Sequence, residues 1–392
     1  MELKTVKIAD EPKIEVHGRT IASRDPVMLL WTGSYIEMTV RCSELYIDME
    51  APFETFENWI LIEVNGRLMT RQMVPKERGW LCVFRNKMAS KPTTVRIIKE
   101  VQAMNSDKLH CLKFYSVCLD GDILPVKPKK LKIEFIGDSI TSGEGAIGAK
   151  EEEEWISMFF GHSNSYPYLV SKALDADYRV ISQSGWGVRS SWDNDPNCSI
   201  PLHYKEICSV MPEETFRPLG FYEENNFKAW RPDVVVVNLA TNDDGAFHNS
   251  PHFDPVTGEE FKQHMTGDVF SNGIFYPGTD YDPDDLYKLQ RAIKDFLRTL
   301  RKCNVDAWII WAYGMLGNAM EPVIRAGIAD FIKVTDDEKI LYLPLDPVSD
   351  KTVGARQHPG RPCHKQAAEK IAKYIQGLMP HVTINRNSRK KL

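Results

Sequence analysis

Leu131-Lys132-Ile133-Glu134-Phe135-Ile136-Gly137-Asp138-Ser139-Ile140-Thr141-Ser142-Gly143-Glu144-Gly145 begins as an alternating run, with Lys132 and Glu134 set between the apolar Leu131, Ile133 and Phe135. That alternation predicts a strand, and its apolar character stops abruptly at Gly137-Asp138-Ser139. In an open α/β sheet, ligands bind outside the carboxyl ends of the strands, so a small nucleophile at such an end has a functional reading from position alone. Gly137 allows a sharp turn without a Cβ clash, and Ser139 then projects its hydroxyl from that turn.

Downstream, strands alternate with helices. Tyr166–Leu174 reads as a helix and 178–182 as a strand. The stretch 233–239 carries Val234, Val235, Val236 and Val237 in succession, as expected of a strand buried on both faces of a parallel sheet. An amphipathic helix follows at 284–302, with Leu286, Leu289, Ile293, Phe296, Leu297 and Leu300 on one stripe and Asp284 and Asp285 in its first turn. A further strand at 307–312 and helices at 320–334 and 367–378 complete a three-layer α/β/α pattern with a parallel sheet.

Upstream the pattern is different. Residues 1–126 carry short apolar or alternating runs at 27–31, 36–40, 45–49, Trp59–Val64, 80–84, 94–98 and Leu112–Leu119. Their spacing predicts a β-sandwich of jelly-roll type, with Asn65-Gly66 as a hairpin turn. Trp31, Trp59 and Trp80 are candidates for sugar stacking, although core packing is the commoner use of such residues. Between 120 and 132, Gly121, Pro125, Pro128 and four lysines interrupt both patterns. The expected organisation is therefore a sandwich over 1–126, an α/β domain over 127–380 and a polar tail over 381–392.

Composition narrows the function. At 392 residues, with ~150 residues per domain as a prior, the chain has room for two or three domains. Hydrophobic content of 43% and a net charge of −5 fit a globular protein with a sizeable core and argue against a nucleic-acid binder driven by phosphate neutralisation. No stretch approaches a membrane span, and residues 1–12 contain charges and no apolar run, so no secretory signal is expected. The eight cysteines form no CxxC pair and no cluster with histidines, which speaks against a zinc site and for free thiols in a reducing cytoplasm.

Four groups converge on one sheet edge. Ser139 follows the first strand of the α/β half, Gly185 in Ser182-Gln183-Ser184-Gly185-Trp186-Gly187 the second, and Asn242 in Thr241-Asn242-Asp243 the third, while His358 in His358-Pro359-Gly360 precedes the last helix. A serine hydroxyl is a weak nucleophile until a base takes its proton, and histidine does this near neutral pH. The Ser139 and Gly185 backbone N–H groups and the Asn242 amide would supply donors for a tetrahedral oxyanion. Serine acyl transfer requires neither a metal nor an organic cofactor.

Gly137-Asp138-Ser139-Ile140, Gly185, Thr241-Asn242-Asp243 and His358-Pro359, in this order, resemble the SGNH, or GDSL-type, hydrolases. The early Trp31-Thr32-Gly33-Ser34-Tyr35-Ile36-Glu37 and the later Trp311-Ala312-Tyr313-Gly314-Met315-Leu316-Gly317 are similar to carbohydrate esterase family 2, whose members join a jelly roll to an SGNH domain. The resemblance covers nearly the whole chain. It implies O-deacetylation of plant-polysaccharide sugars, with Ser139 as nucleophile, His358 as base, and Ser139, Gly185 and Asn242 as the oxyanion hole. SGNH enzymes commonly place an aspartate two or three residues before the histidine, where this chain has Arg356 and Ala355. Either a backbone carbonyl orients His358, making a dyad, or Asp350 or Asp346 folds back to complete a triad; the dyad is the preferred expectation.

Two other readings remain. Gly143-Glu144-Gly145-Ala146-Ile147-Gly148 is a formal GxGxxG, but it comes too late after its strand for a pyrophosphate turn, and Glu151 to Glu154 would repel phosphate. A carbohydrate-binding protein with a degenerate catalytic domain is the alternative from another class, with the missing aspartate in its favour. Trp186, Trp192 and Tyr313 are candidates for stacking on the sugar. The long segment 193–287, with His248, His252, Phe275 and Tyr276, is a candidate roof over the site. The expected partner is an acetylated oligosaccharide, xylo- or manno-, met in the cytoplasm.

Overall fold

Four consecutive valines show how the carboxyl half is layered. In the computed structural model, which describes residues 2–384, five parallel strands run Lys132–Gly137 (β1), Asp177–Ser182 (β2), Val234–Asn238 (β3), Trp308–Tyr313 (β4) and Ile340–Pro344 (β5). Their order across the sheet is β2-β1-β3-β4-β5. Successive strand residues point to opposite faces. Val235 and Val237 accordingly join the core beneath helices Pro283–Cys303 and Glu321–Thr335. Val234 and Val236 join the core beneath Tyr166–Leu174 and Arg361–Leu378. The sheet is covered on both faces, and the expected three-layer α/β/α arrangement follows.

The chain crosses from β2 on one side of β1 to β3 on the other, so the carboxyl end of β1 lies at a topological switch point, where side loops part and leave a crevice. Ser139 is the second residue beyond that strand.

The amino-terminal half is a pair of antiparallel sheets of five and six strands. Ile36, Met38 and Val40 from Tyr35–Arg41 meet Ile47, Phe114 and Val117 in the core between the sheets. Tyr35, Leu61 and Ile98, on the opposite face of the six-stranded sheet, pack into the same core as helix Tyr166–Leu174. One sandwich sheet is thus buried on both sides, which is why Trp59–Val64 shows no polar face. Asn65 and Gly66, at φ 50° and 73°, form the two-residue turn of the expected hairpin, with Val64 opposite Arg67.

Polar contacts reinforce the junction between the halves. Asp177 accepts from Tyr35 Oη at 3.2 Å and Trp230 Nε1 at 2.7 Å, and lies 2.8 Å from His17 Nδ1. Antiparallel strands continue to Leu124, and β1 begins at Lys132. The tail expected at 381–392 lies outside the described residues from 385 onward. No helix among the described residues is long and apolar enough to cross a membrane.

Candidate active site

Gly137 ends β1 where a Cβ would lie 2.0 Å from Thr141 Oγ1 and 2.7 Å from the Asn238 carbonyl, so no larger residue fits the turn. The chain then enters the short helix Ser139–Ser142, capped by Asp138, whose carboxylate accepts from Ile140 N–H at 3.0 Å. Burial pushes the Asp138 carboxyl up to about 7, against the downward pull of that hydrogen bond.

Ser139 Oγ lies 2.9 Å from His358 Nε2, and His358 Nδ1 lies 2.8 Å from the carbonyl oxygen of Arg356. A carbonyl oxygen can only accept, so Nδ1 carries the proton and Nε2 presents its lone pair to the serine hydroxyl. This is the first of the two arrangements expected from sequence. Asp346 pairs instead with Lys370 at 3.0 Å, and Asp350 is exposed.

The residues expected to bind the oxyanion are gathered by Asn242. Its Nδ2 donates to the Trp186 carbonyl at 3.0 Å and approaches Asp138 Oδ2 at 3.4 Å. It therefore touches the neighbour of Gly185 and the neighbour of Ser139. The hydrogen facing Asp138 makes the longer and weaker bond of the two, which leaves it the less committed donor. Asp243, fully buried, accepts from Val188 N–H at 2.7 Å and Arg189 N–H at 2.8 Å, pinning the loop after β2 to the helix Thr241–His248.

Two expectations need correction. Trp186 is 5% exposed, buried in the core against His203 with ring centroids 4.9 Å apart, and Tyr313 is 2% exposed in the same core, so neither presents a ring face to a sugar. Trp31 takes the commoner of its two expected uses: it is internal and donates from Nε1 to the Ile207 carbonyl at 2.7 Å. Trp192 differs: it is 51% exposed, its N–H donates to the Gly185 carbonyl at 2.9 Å, and its ring flanks Gly185. Trp59 lies under the Arg71 guanidinium, and Trp80 is half-exposed on the sandwich.

Residues 193–287 are built rather than loose. They contain three two-stranded ladders between His252 and Tyr281, and Tyr281 Oη donates to Asp244 at 2.7 Å, two residues beyond Asn242. Phe275 packs under Lys262, while Tyr276 is exposed. His248 and His252 face Asp244 and Asp195.

The formal GxGxxG serves the histidine loop. A Cβ on Gly145, at φ +67°, would lie 2.3 Å from the Ala355 carbonyl and 2.6 Å from His358 Cβ, so this glycine lets the two loops touch.

The sandwich also reaches the site, through residues that have no motif. Gln102 Oε1 accepts from both N–H and Oγ of Ser184 at 2.9 Å, and Gln183 donates to Asn105 at 3.1 Å. Lys99, which burial pushes down to about 7, holds the Val101 carbonyl at 3.0 Å and the Gln102 carbonyl at 3.3 Å. The loop bearing Gly185 is thus fastened from the amino-terminal half.

No family model matches the chain. Solved structures do: over 96% of this chain and 99% of the other, it superimposes with a TM-score of 0.90 and 36% identity on an acetyl xylan esterase from the rumen bacterium Butyrivibrio proteoclasticus. A family two carbohydrate esterase from Clostridium thermocellum shares the fold over 94% of this chain and 99% of its own, with a TM-score of 0.74 and 22% identity. The chain belongs to carbohydrate esterase family 2. Among curated proteins, this chain is 32% identical over 123 residues, 31% of its length, to an acetylxylan esterase / glucomannan deacetylase of Cellvibrio japonicus. It is 28% identical over 244 residues, 60% of its length, to a cellulase/esterase of Acetivibrio thermocellus. The chain spans less than a third of either curated relative, 31% and 27% respectively.

Proposed function

We propose that this chain is a serine carbohydrate O-acetylesterase acting on acetylated xylo- or manno-oligosaccharides. The relay from Ser139 Oγ through His358 to the Arg356 carbonyl, at 2.9 Å and 2.8 Å, carries the reading. Ser139 Oγ attacks the acetyl carbonyl carbon while its proton passes to His358 Nε2. The carbonyl oxygen becomes an oxyanion facing the N–H groups of Ser139 and Gly185 and the Asn242 amide. As the intermediate collapses, the imidazolium returns the proton to the departing sugar hydroxyl, leaving acetyl-Ser139. Water, deprotonated by His358, then attacks the acyl group; acetate leaves and Ser139 recovers its proton.

The names of the similar esterases support acetylated xylan and glucomannan fragments as the substrate class. The missing aspartate, which favoured a binding protein without turnover, has a counterpart in the Arg356 carbonyl. The eight cysteines stand as free thiols, which supports action in a reducing cytoplasm on oligosaccharides already taken up.

Acetate release from acetylated xylo- and manno-oligosaccharides tests the proposal, and the faster substrate names the glycan. Asp350→Ala should leave kcat within a few-fold, whereas loss of a true triad acid would cost about 10^4. A fall of that larger size would replace the dyad with a triad. Trp192→Ala should raise KM for oligosaccharides ~10-fold, in line with the 1 to 3 kcal/mol that base–aromatic stacking contributes elsewhere, while 4-nitrophenyl acetate is hydrolysed as before. Equal effects on both substrates would remove Trp192 from the sugar site.

A further inference from the structure

A neutral carbonyl in place of an aspartate raises two questions: what keeps it aimed at the imidazole, and what supplies the negative charge an aspartate would bring? The Arg356 carbonyl belongs to a tight turn, Ala355–Gln357, in which Arg356 sits at φ 54°, ψ 34° and Gln357 at φ 55°. Two successive non-glycine residues in the left-handed region are unfavourable and persist only where surrounding contacts hold them.

Those contacts come from the acidic stretch after the nucleophile. Arg356 N–H donates to the Glu152 carbonyl at 2.7 Å and Arg356 Nη1 to the Glu153 carbonyl at 2.9 Å. Gln357 Nε2 donates to the Lys150 carbonyl at 3.1 Å. Glu144, only 2% exposed, accepts from Arg356 Nε at 2.9 Å, and the same Oε1 lies 3.9 Å from His358 Nε2.

We propose that Glu144 and Arg356 are a positioning pair that does in two parts what one triad aspartate does: Arg356 aims its own carbonyl at His358 Nδ1, and Glu144 anchors Arg356 while placing a carboxylate beside the imidazole. The proposal rests on the Ser139–His358 reading. The pair divides one negative charge between two cations. Glu144 favours the imidazolium that forms when Ser139 gives up its proton, and the Arg356 guanidinium tempers that effect at rest. Two further titratable groups lie near the imidazole: His364, from helix Arg361–Leu378, which burial pushes down to about 3 so that it stays neutral in the working range, and Asp138, beside Ser139, whose carboxyl burial pushes up to about 7.

The opposite signs of the two charges define the test. Glu144→Gln removes the negative charge, and Arg356→Gly removes the positive one while keeping a residue that tolerates the left-handed turn and retains its carbonyl. Each should lower kcat tenfold or more with KM within about threefold, because a loosened base costs positioning rather than binding. The acid limb of kcat/KM reports the free-enzyme base. It should move to lower pH in Glu144→Gln and to higher pH in Arg356→Gly. A purely structural role would lower the melting temperature without splitting the limbs in this way.

Limbs that stay at the wild-type pH, or that move together, would overturn the proposal, as would kcat within twofold in both variants. If Arg356→Gly fails to fold, the limb and kcat of Glu144→Gln decide alone. Ser139→Ala in parallel separates the two levels. Turnover that stays near the wild-type level in it removes the Ser–His reading and the pair with it; turnover lost there but unchanged in both pair variants removes the pair only.

Discussion

Replacing Ser139 by alanine should lower acetate release by about 10^6-fold, the scale seen when the nucleophile of a serine hydrolase is removed. The same loss is expected for His358→Ala, and the double variant should be no worse than either single one. The reason is mechanistic: at 2.9 Å the hydroxyl and the imidazole share one proton, and neither acts without the other. Residual turnover would come from the oxyanion donors and bound substrate, worth ~10^3 over water. Burst kinetics with 4-nitrophenyl acetate provide the check, since acetyl-Ser139 formation gives a burst in the wild type wherever deacylation is the slower step. A Ser139→Ala protein that keeps the burst, or turnover well above that residual level, would show that another residue attacks the ester.

Asn242→Ala should lower kcat by 10^2 to 10^3, roughly the cost of deleting one oxyanion donor, with KM little changed because the donor matters most once charge develops. The contacts of Asn242 set the sign of any secondary effect. Its amide ties the Trp186 carbonyl to the Asp138 side chain, so truncation also releases the loop that carries Gly185. Asn242→Asp separates the two roles: it keeps the side-chain volume but puts a carboxylate beside Asp138 and opposite the developing oxyanion. It should be at least as impaired as the alanine variant. A KM rise in Asn242→Ala with unchanged kcat would make Asn242 a ground-state binding group instead.

Much of the fold was legible because its strongest patterns are local. Alternation in Leu131 to Phe135 marks a strand, the four valines of β3 mark one buried on both faces, and the stripe from Leu289 to Leu300 marks the buried side of a helix. The elements that escaped notice lack such a face. Arg67–Met73 is an edge strand whose residues are largely exposed or half-exposed, and Lys4–Lys7 is charged and open to water. Ile340–Pro344 is a short edge strand ending in proline.

At the site, Ser139 and His358 announce themselves through flanking motifs, but their supports do not. Gln102 lies 82 residues from the serine it holds and looks like any polar residue after a strand. Trp186 and Trp192 are indistinguishable by residue type, and only the packing shows which one faces outward. Glu144 was visible within a glycine pattern that suggested phosphate. Its partner lies 212 residues away, at a position notable in the sequence only for the aspartate it lacks.

The hydrogen bond from His358 Nδ1 to a main-chain oxygen has a genetic consequence. A triad that relies on an aspartate can lose its acid through a single codon change. Here every amino acid encoded at position 356 still brings a carbonyl, so no missense change at that codon can delete the acceptor. Such a change can only redirect it, and genetic damage to this half of the relay must act through the path of the main chain.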